Sequence, residues 1–410
     1  MRKAETRIAV FYPWTGLPAL DRGSSRRVVP LIRLLAEQYD QVRVVSPGAR
    51  PDQWRSGNLE YRLQRPSAIE RAMLGAAFAV FDSAFHRLFR GRVPPRERRQ
   101  WWHYLSVDLQ WNLAREVRRT VSWSSVVLLE YPFWEKAVLA SCAEARRESL
   151  LTMHDTLSDI VVSSTWLREK VRNRELSAAR KASSVFCVSE SDRQHFAKEG
   201  IVAQFVPHGI SIEPCTRDST PESPELRRVE RARGLGKTVC LFVGSSLSTN
   251  QEAVEEIRRI AAALASQGDF RFAIAGACLS RGTYEHHVIA FGPVEDALLD
   301  KLYQVADIVL APLRSGTGTS LKVLEAFVHQ KALVATRMGV RGYPVRDGTE
   351  CMICDEPQSY PEVLSSLRAN PGRLRALGEA GSAFVKAYDY RVVYQPYLEC
   401  IDRFLAARPA

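Results

Sequence analysis

Residues 307–346 read DIVLAPLRSGTGTSLKVLEAFVHQKALVATRMGVRGYPVR. The stretch opens on the apolar run Ile308-Val309-Leu310-Ala311, stopped by Pro312, the pattern of a short buried strand. A loop follows, Arg314-Ser315-Gly316-Thr317-Gly318-Thr319. The spacing then predicts a helix over about Ser320–His329, with Thr319 at its N-cap, and a second strand over Ala332–Thr336. This is a βαβ unit with a glycine-rich turn at the carboxyl end of its first strand. Gly316 and Gly318 let backbone approach a ligand, and the N–H groups of Ser320, Leu321 and Lys322 open the helix, so the turn is an anion site made of backbone dipoles. Lys322 adds a full charge. Glu325, three residues on along the same helical face, adds two acceptors. Phosphates at the helix tip and ribose hydroxyls on the acid would suit a nucleotide diphosphate. The alternative is a plain βαβ turn with a solvated Lys322–Glu325 pair worth about 0.2–0.5 kcal/mol.

With 410 residues the chain has room for two or three domains, each with its own core. A hydrophobic content of 46% with 25% charged residues excludes a disordered chain. The net charge of +11 favours anionic partners: nucleotide diphosphates, nucleic acid or an anionic membrane face. Met1-Arg2-Lys3-Ala4-Glu5-Thr6-Arg7 leads straight into a short strand rather than a secretory apolar region, so no signal peptide is expected. No apolar run reaches the roughly 18 residues that would span a bilayer. A cytoplasmic chain follows, and the eight scattered cysteines suit a reducing compartment. Cys351 and Cys354 form the one close pair, read as two thiols; no metal site is expected.

Arg7–Tyr12 reads as a first strand, Gly23-Ser24-Ser25 as part of the loop after it, Arg27–Gln38 as a helix and Val42–Ser46 as a second strand. Val126–Glu130 and Leu150–Met153 are further strands, the latter ending at His154-Asp155, where α/β sheets bind ligands. Glu175–Ser184 reads as a helix before the strand Val185–Val188, and Ser189-Glu190-Ser191-Asp192 starts another helix. Residues 211–236 have the Pro, Ser and charged composition of a linker. A second alternation starts at Thr238–Ser245 and runs through helix 251–265, strand 270–276, strand 288–294 and helix 295–306 into the opening stretch. Helices over 373–389 and 392–406 close the chain.

Residues 50–120 break the alternation. They hold fourteen arginines against seven acidic residues, and four of the eight tryptophans: Trp54, Trp101, Trp102 and Trp111. A basic, aromatic surface of this kind suits anionic lipid. A soluble helical insertion with solvated arginines is the alternative; nucleic acid is the third reading, with no accompanying motif.

Gly316, Gly318, Lys322, Glu325 and Ala326 reproduce the Gly-x-Gly-x-x-x-Lys-x-x-Glu-Ala pattern of retaining group-1 (family-4) glycosyltransferases, which the chain resembles. Thr317 stands where the Glu-x7-Glu form has its first Glu, the family's contact to the donor sugar. Ser189-Glu190-Ser191-Asp192 and Val206-Pro207-His208-Gly209-Ile210 are similar to the family too, with His208 where Asn is usual. The likeness is carried by residues 180–390 and is looser over 1–150. It implies a GT-B fold, α/β with two Rossmann-like domains facing across a cleft: an acceptor-binding domain over 1–210, the linker 211–236, a nucleotide-sugar-binding domain over 237–390, and a last helix, 391–410, crossing back to the first. It implies transfer, with retention, of a sugar (a hexose in the commonest class) from a nucleotide-diphosphate sugar, UDP or GDP, to a glycan or lipid-linked acceptor in cell-surface polysaccharide or glycolipid synthesis, with no cofactor or metal. His154 and Asp155 would be catalytic; Gly244, Arg314, Gly316, Thr317, Gly318, Thr319, Ser320, Leu321, Lys322 and Glu325 would bind donor; Gly23, Ser24 and Ser25 would contact acceptor or phosphate. The expected partners are thus the donor, the acceptor and an anionic membrane surface, not nucleic acid. An inactive GT-B nucleotide- or glycan-binding protein and a UDP-sugar epimerase are the alternatives.

Overall fold

The computed structural model describes residues 5–14, 17, 23–48, 52–88, 102, 106, 109–154, 156–160, 164–213, 223–316 and 319–407. The chain divides into two compact units. One comprises Met1–Leu17, Val28–Pro207 and Tyr394–Ala410, the other Pro18–Arg27 and His208–Val393.

Among the described residues the first unit is built on eight strands: β1 Arg7–Phe11, β2 Gln41–Pro47, β3 Asp52–Ser56, β4 Leu59–Gln64, β5 Val126–Glu130, β6 Glu148–Met153, β7 Ser184–Cys187 and β8 Ala203–Phe205. Their order is β3-β4-β2-β1-β5-β6-β7-β8. All pairs are parallel except β3–β4, an antiparallel hairpin at the edge. Val10 of β1 lies between Val44 of β2 and Leu128 of β5. Every residue of β5 is buried, which is why the strands of a covered parallel sheet read as unbroken apolar runs. The helix Gln395–Ala406 belongs to this unit: Tyr397 stacks on Phe186 at 4.3 Å and its hydroxyl lies 3.1 Å from Thr152 Oγ1.

Among the described residues the second unit has seven strands: β9 Thr238–Val243, β10 Phe270–Ala275, β11 Gly282–Tyr284, β12 Val288–Gly292, β13 Ile308–Ala311, β14 Ala332–Ala335 and β15 Met352–Ile353. Their order is β11-β12-β10-β9-β13-β14-β15, with only β11 antiparallel. Side chains alternate between two cores. Val239, Leu241, Val309 and Leu333 join Leu226, Val229 and Leu302 on one face; Cys240, Phe242, Ile308 and Val334 join Val254, Ile257 and Leu364 on the other.

Several boundaries differ from the sequence reading. The first helix runs Gly23–Gln38 rather than from Arg27. Proline is tolerated best in a helix's first turn, which argues for a start close to Pro30; the chain instead begins the helix a turn earlier and carries it through the proline. Gly23, Ser24 and Ser25 are therefore helical, not a loop. The helix expected over Glu175–Ser184 is Thr165–Lys181. Within 211–236, Pro224–Gly234 is a helix capped by Ser223, with Leu226 and Val229 in the core.

Candidate active site

In the second unit β9 lies between β10 and β13, so the winding direction reverses at the β9–β13 pair, and the crevice of such a sheet opens at their carboxyl ends. Two loops meet there, each leading into a helix: the one after β9 into Ser248–Ala263, the one after β13 into Leu321–Val328. Lys322 joins them. Its ammonium donates to Asn250 Oδ1 at 3.0 Å and lies 5.5 Å from the Phe242 ring. Asn250 in turn donates to Ser245 Oγ at 3.0 Å. Burial pushes the Lys322 pKa down from 10.5 to about 8; Glu325 works against that fall, while Arg341 and Arg27 add to it.

Arg341 lies against the glycine turn. A Cβ on Gly316 would come within 2.7 Å of its guanidinium, and Gly316 has φ +148°, so this position requires glycine. Arg27 donates to the Thr319 carbonyl at 3.3 Å. At the helix tip, the Ser320 hydroxyl is buried with no hydrogen-bond partner among the described residues. A buried orphan hydroxyl at a helix start, ringed by cations, is built to meet an anion.

The site differs from the sequence reading in three respects. Ser320, not Thr319, occupies the N-cap position, and its side chain does not cap the helix. The Ser320 N–H is taken by the Arg341 carbonyl at 3.3 Å, which leaves the Leu321 and Lys322 N–H groups at the open tip. Arg314 does not stand with Lys322: it pairs with buried Glu256 at 2.9 Å, which Arg259 also approaches at 3.2 Å. A buried carboxylate needs a cation, and Arg341 stands with Lys322 instead. Asn250 and Arg341 are the residues sequence reasoning missed here. Thr317 and Gly318 lie outside the described residues. Gly244 donates its N–H to the Ala275 carbonyl at 2.9 Å and accepts from the Cys278 N–H at 3.3 Å, so its backbone ties the loop to the strand ends. Glu325 is buried, and Tyr303 donates to its Oε2 at 2.9 Å.

In the first unit, His154 follows β6 and is 3% exposed. Its Nε2 lies 2.5 Å from Glu130 Oε2, at the end of β5. This contact fixes the orientation of the ring. Thr152 donates to the other Glu130 oxygen at 3.2 Å. Tyr131, at φ +65°, lays its ring on His154 at 4.2 Å. Trp14 meets Tyr131 edge-on at 5.8 Å and Phe133 at 4.8 Å, which makes an aromatic wall after β1 and β5. The signal for Glu130 was a carboxylate closing an otherwise apolar strand. Asp155 lies outside the described residues, as do the side chains of Gly23, Ser24 and Ser25. Cys351 and Cys354 are buried free thiols, pushed up to about 12 and about 11 by burial.

Residues 237–370 match the family model described as Glycosyl transferases group 1. They are a group 1 glycosyl transferase domain. The group 1 domain thus contains both helix starts of the Lys322 site. Solved structures similar to the whole chain include a sucrose-phosphate synthase from Thermosynechococcus elongatus, with TM-score 0.71 and 14% identity over 98% of this chain and 100% of that one. They also include a UDP-forming alpha,alpha-trehalose-phosphate synthase from Burkholderia vietnamiensis, with TM-score 0.67 and 14% identity over 97% of each chain. A third is Anabaena HepE in complex with UDP and glucose, with TM-score 0.65 and 15% identity over 97% of this chain and 100% of that one. The fold is GT-B. A comparison with curated proteins finds no match.

Proposed function

We propose that the chain is a retaining glycosyltransferase that moves a sugar from a nucleotide-diphosphate donor, UDP or GDP, to a glycan or lipid-linked acceptor in cell-surface polysaccharide or glycolipid synthesis. The observation that carries this is the Lys322–Asn250 pair at the β9–β13 switch point, beneath a helix tip whose Ser320 hydroxyl has no hydrogen-bond partner among the described residues. Transfer leaves negative charge on a departing diphosphate. Helix-tip N–H groups, Lys322 and Arg341 stabilise that charge without a metal. The diphosphate displaces Asn250 from the ammonium. His154, held by Glu130, acts on the donor sugar, as in the family the chain resembles, and the first unit binds the acceptor.

Glu325 receives the ribose hydroxyls. Glu325→Gln keeps one acceptor and weakens nucleotide binding less than Glu325→Ala. Equal, negligible effects in a nucleotide titration would place the ribose elsewhere.

The depressed Lys322 pKa gives a pH signature. Unliganded Lys322 loses its proton as pH rises through about 8, whereas a bound diphosphate holds the proton on. Donor affinity therefore falls above that pH, and binding takes up a proton. The folded-state pKa lies below the unfolded value, so between about 8 and 10.5 the unfolded chain binds more protons and this group makes stability rise with pH. Affinity and this contribution to stability slope in opposite directions. Calorimetric titration with UDP and GDP at about pH 7 and about pH 9, in two buffers of different ionisation enthalpy, measures the proton uptake. Thermal-shift screening against UDP, GDP, ADP and their sugars tests the donor class, since a ligand at 100 times its Kd stabilises by about 2.7 kcal/mol; a flat screen overturns the proposal.

A further inference from the structure

We propose that the outward face of the helix Ala68–Leu88 is a membrane-docking surface that seats in the interfacial zone of a bilayer bearing anionic headgroups. This goes beyond the transfer reading and rests on the first unit alone.

The helix is inverted relative to an ordinary surface helix, which turns its charges to water and its apolar stripe inward. At about 100° per residue, Ile69, Ala72, Met73, Ala76, Ala79 and Val80 share an arc of roughly 120°; no charged side chain interrupts it between Ile69 and Val80, and Arg87 falls on the same arc in the last turn. Ile69, Met73 and Val80 are 68%, 56% and 72% exposed. The opposite side is committed to the protein. Glu70, 0% exposed, accepts from the Ser67 N–H at 2.7 Å and from Asn112 N and Nδ2 at 2.9 and 2.7 Å, which ties this helix to the start of the helix Trp111–Trp123. Phe78 and Phe81 turn to Trp102, at 5.8 and 5.0 Å. The body of the unit thus holds the helix by its polar and aromatic side and presents a continuous apolar side outward, a patch of the kind that marks a docking surface.

Lipid fits this face better than protein. Between Ile69 and Val80 its described side chains are all aliphatic, with no aromatic or arginine anchor of the kind that concentrates binding energy at protein interfaces. A bilayer requires no such complementarity. The charge also selects the partner. Arg65, Arg71 and Arg87 are exposed near the two ends of the helix, and residues 50–120 carry an excess of seven positive charges, which repels a second copy and attracts anionic headgroups. No described helix is long and apolar enough to cross a membrane, so the helix lies in the interface, with its apolar face down and its basic ends at the level of the phosphates.

The test is co-sedimentation of the full chain with vesicles of phosphatidylcholine alone or with about a third phosphatidylglycerol. Wild type is expected to sediment with the anionic vesicles and to be partly released by high salt. Met73→Glu with Val80→Glu is expected to lower binding about tenfold or more, including the salt-resistant part, because the apolar contact is lost. Met73→Ser with Val80→Ser gives the same direction without added charge, and Arg71→Ser with Arg87→Ser removes the salt-sensitive part. Both apolar positions are exposed, so melting temperature and nucleotide binding should stay at wild-type values, which separates this test from that of the donor site. Undiminished vesicle binding by both apolar variants overturns the proposal, as does wild type that ignores anionic vesicles, or a wild-type dimer that these substitutions dissociate.

Discussion

Lys322→Ala lowers affinity for the donor nucleotide about 100-fold and leaves the melting curve of the unliganded chain at or above that of wild type. The magnitude follows from hydrogen bonds to charged groups, worth about 1.5–3 kcal/mol each, which the proposed binding mode gives to the Lys322 ammonium at the helix start. The stability result has a separate cause. In the unliganded chain burial already disfavours the ammonium, enough to bring its pKa to about 8, so removing it relieves a cost as well as the bond to Asn250. Asn250→Ala loses the same partner from the other side but keeps the charge, and should bind the nucleotide within a few-fold of wild type. Arg341→Ala should fall between the two. If Lys322→Ala binds UDP and GDP as wild type does, the phosphates are held elsewhere and the reading of this site fails.

The second large effect is expected at the Glu130–His154 pair. His154→Ala should lower kcat by about 100- to 1000-fold, the range for removing a group that stabilises charge developing in transfer, with nucleotide affinity unchanged because the proposed diphosphate site is built from residues of the other unit. Glu130→Gln is the sharper probe. It keeps an oxygen facing Nε2 and the shape of the buried site, but removes the carboxylate, and should lower kcat about 10- to 100-fold, as loss of a ligand-orienting carboxylate does elsewhere. Steady-state kinetics beside a nucleotide titration separate the effects. Should kcat stay at wild type in Glu130→Gln, the carboxylate only fills a buried place; should nucleotide affinity fall in step with kcat, the pair serves the fold.

Lys322 and Glu325 were legible because their relation is local, three residues apart on one helix. The strands β9 and β13 were legible because burial on both faces leaves no polar residue to interrupt them. What stayed hidden was relation across the chain. Asn250 meets Lys322 over 72 residues, Glu130 meets His154 over 24, and each contact exists only because of strand order. Arg314 and Arg341 flank the same turn, and composition cannot say which is drawn off by a buried carboxylate such as Glu256. The hairpin β3–β4 was missed because Asp52-Gln53-Trp54-Arg55-Ser56 shows no apolar alternation, and its strand is largely exposed. The helix Pro224–Gly234 was taken for linker because its charged residues outnumber its apolar ones, yet Leu226 and Val229, three apart, suffice to seat it. In Ala68–Leu88 the apolar content was plain, but which face looks outward depends on Glu70 and Asn112, and no periodicity shows that.

The most direct test is incubation of the purified chain with UDP- and GDP-sugars and a glycan or lipid-linked acceptor, following released nucleoside diphosphate and the anomeric configuration of the product. The account predicts release from one donor, a product that retains the donor's configuration, and loss of both in Lys322→Ala. Tight nucleotide binding with no release from any donor would make the chain a binding protein, a free sugar epimer would make it an epimerase, and either result would contradict the transfer proposed here.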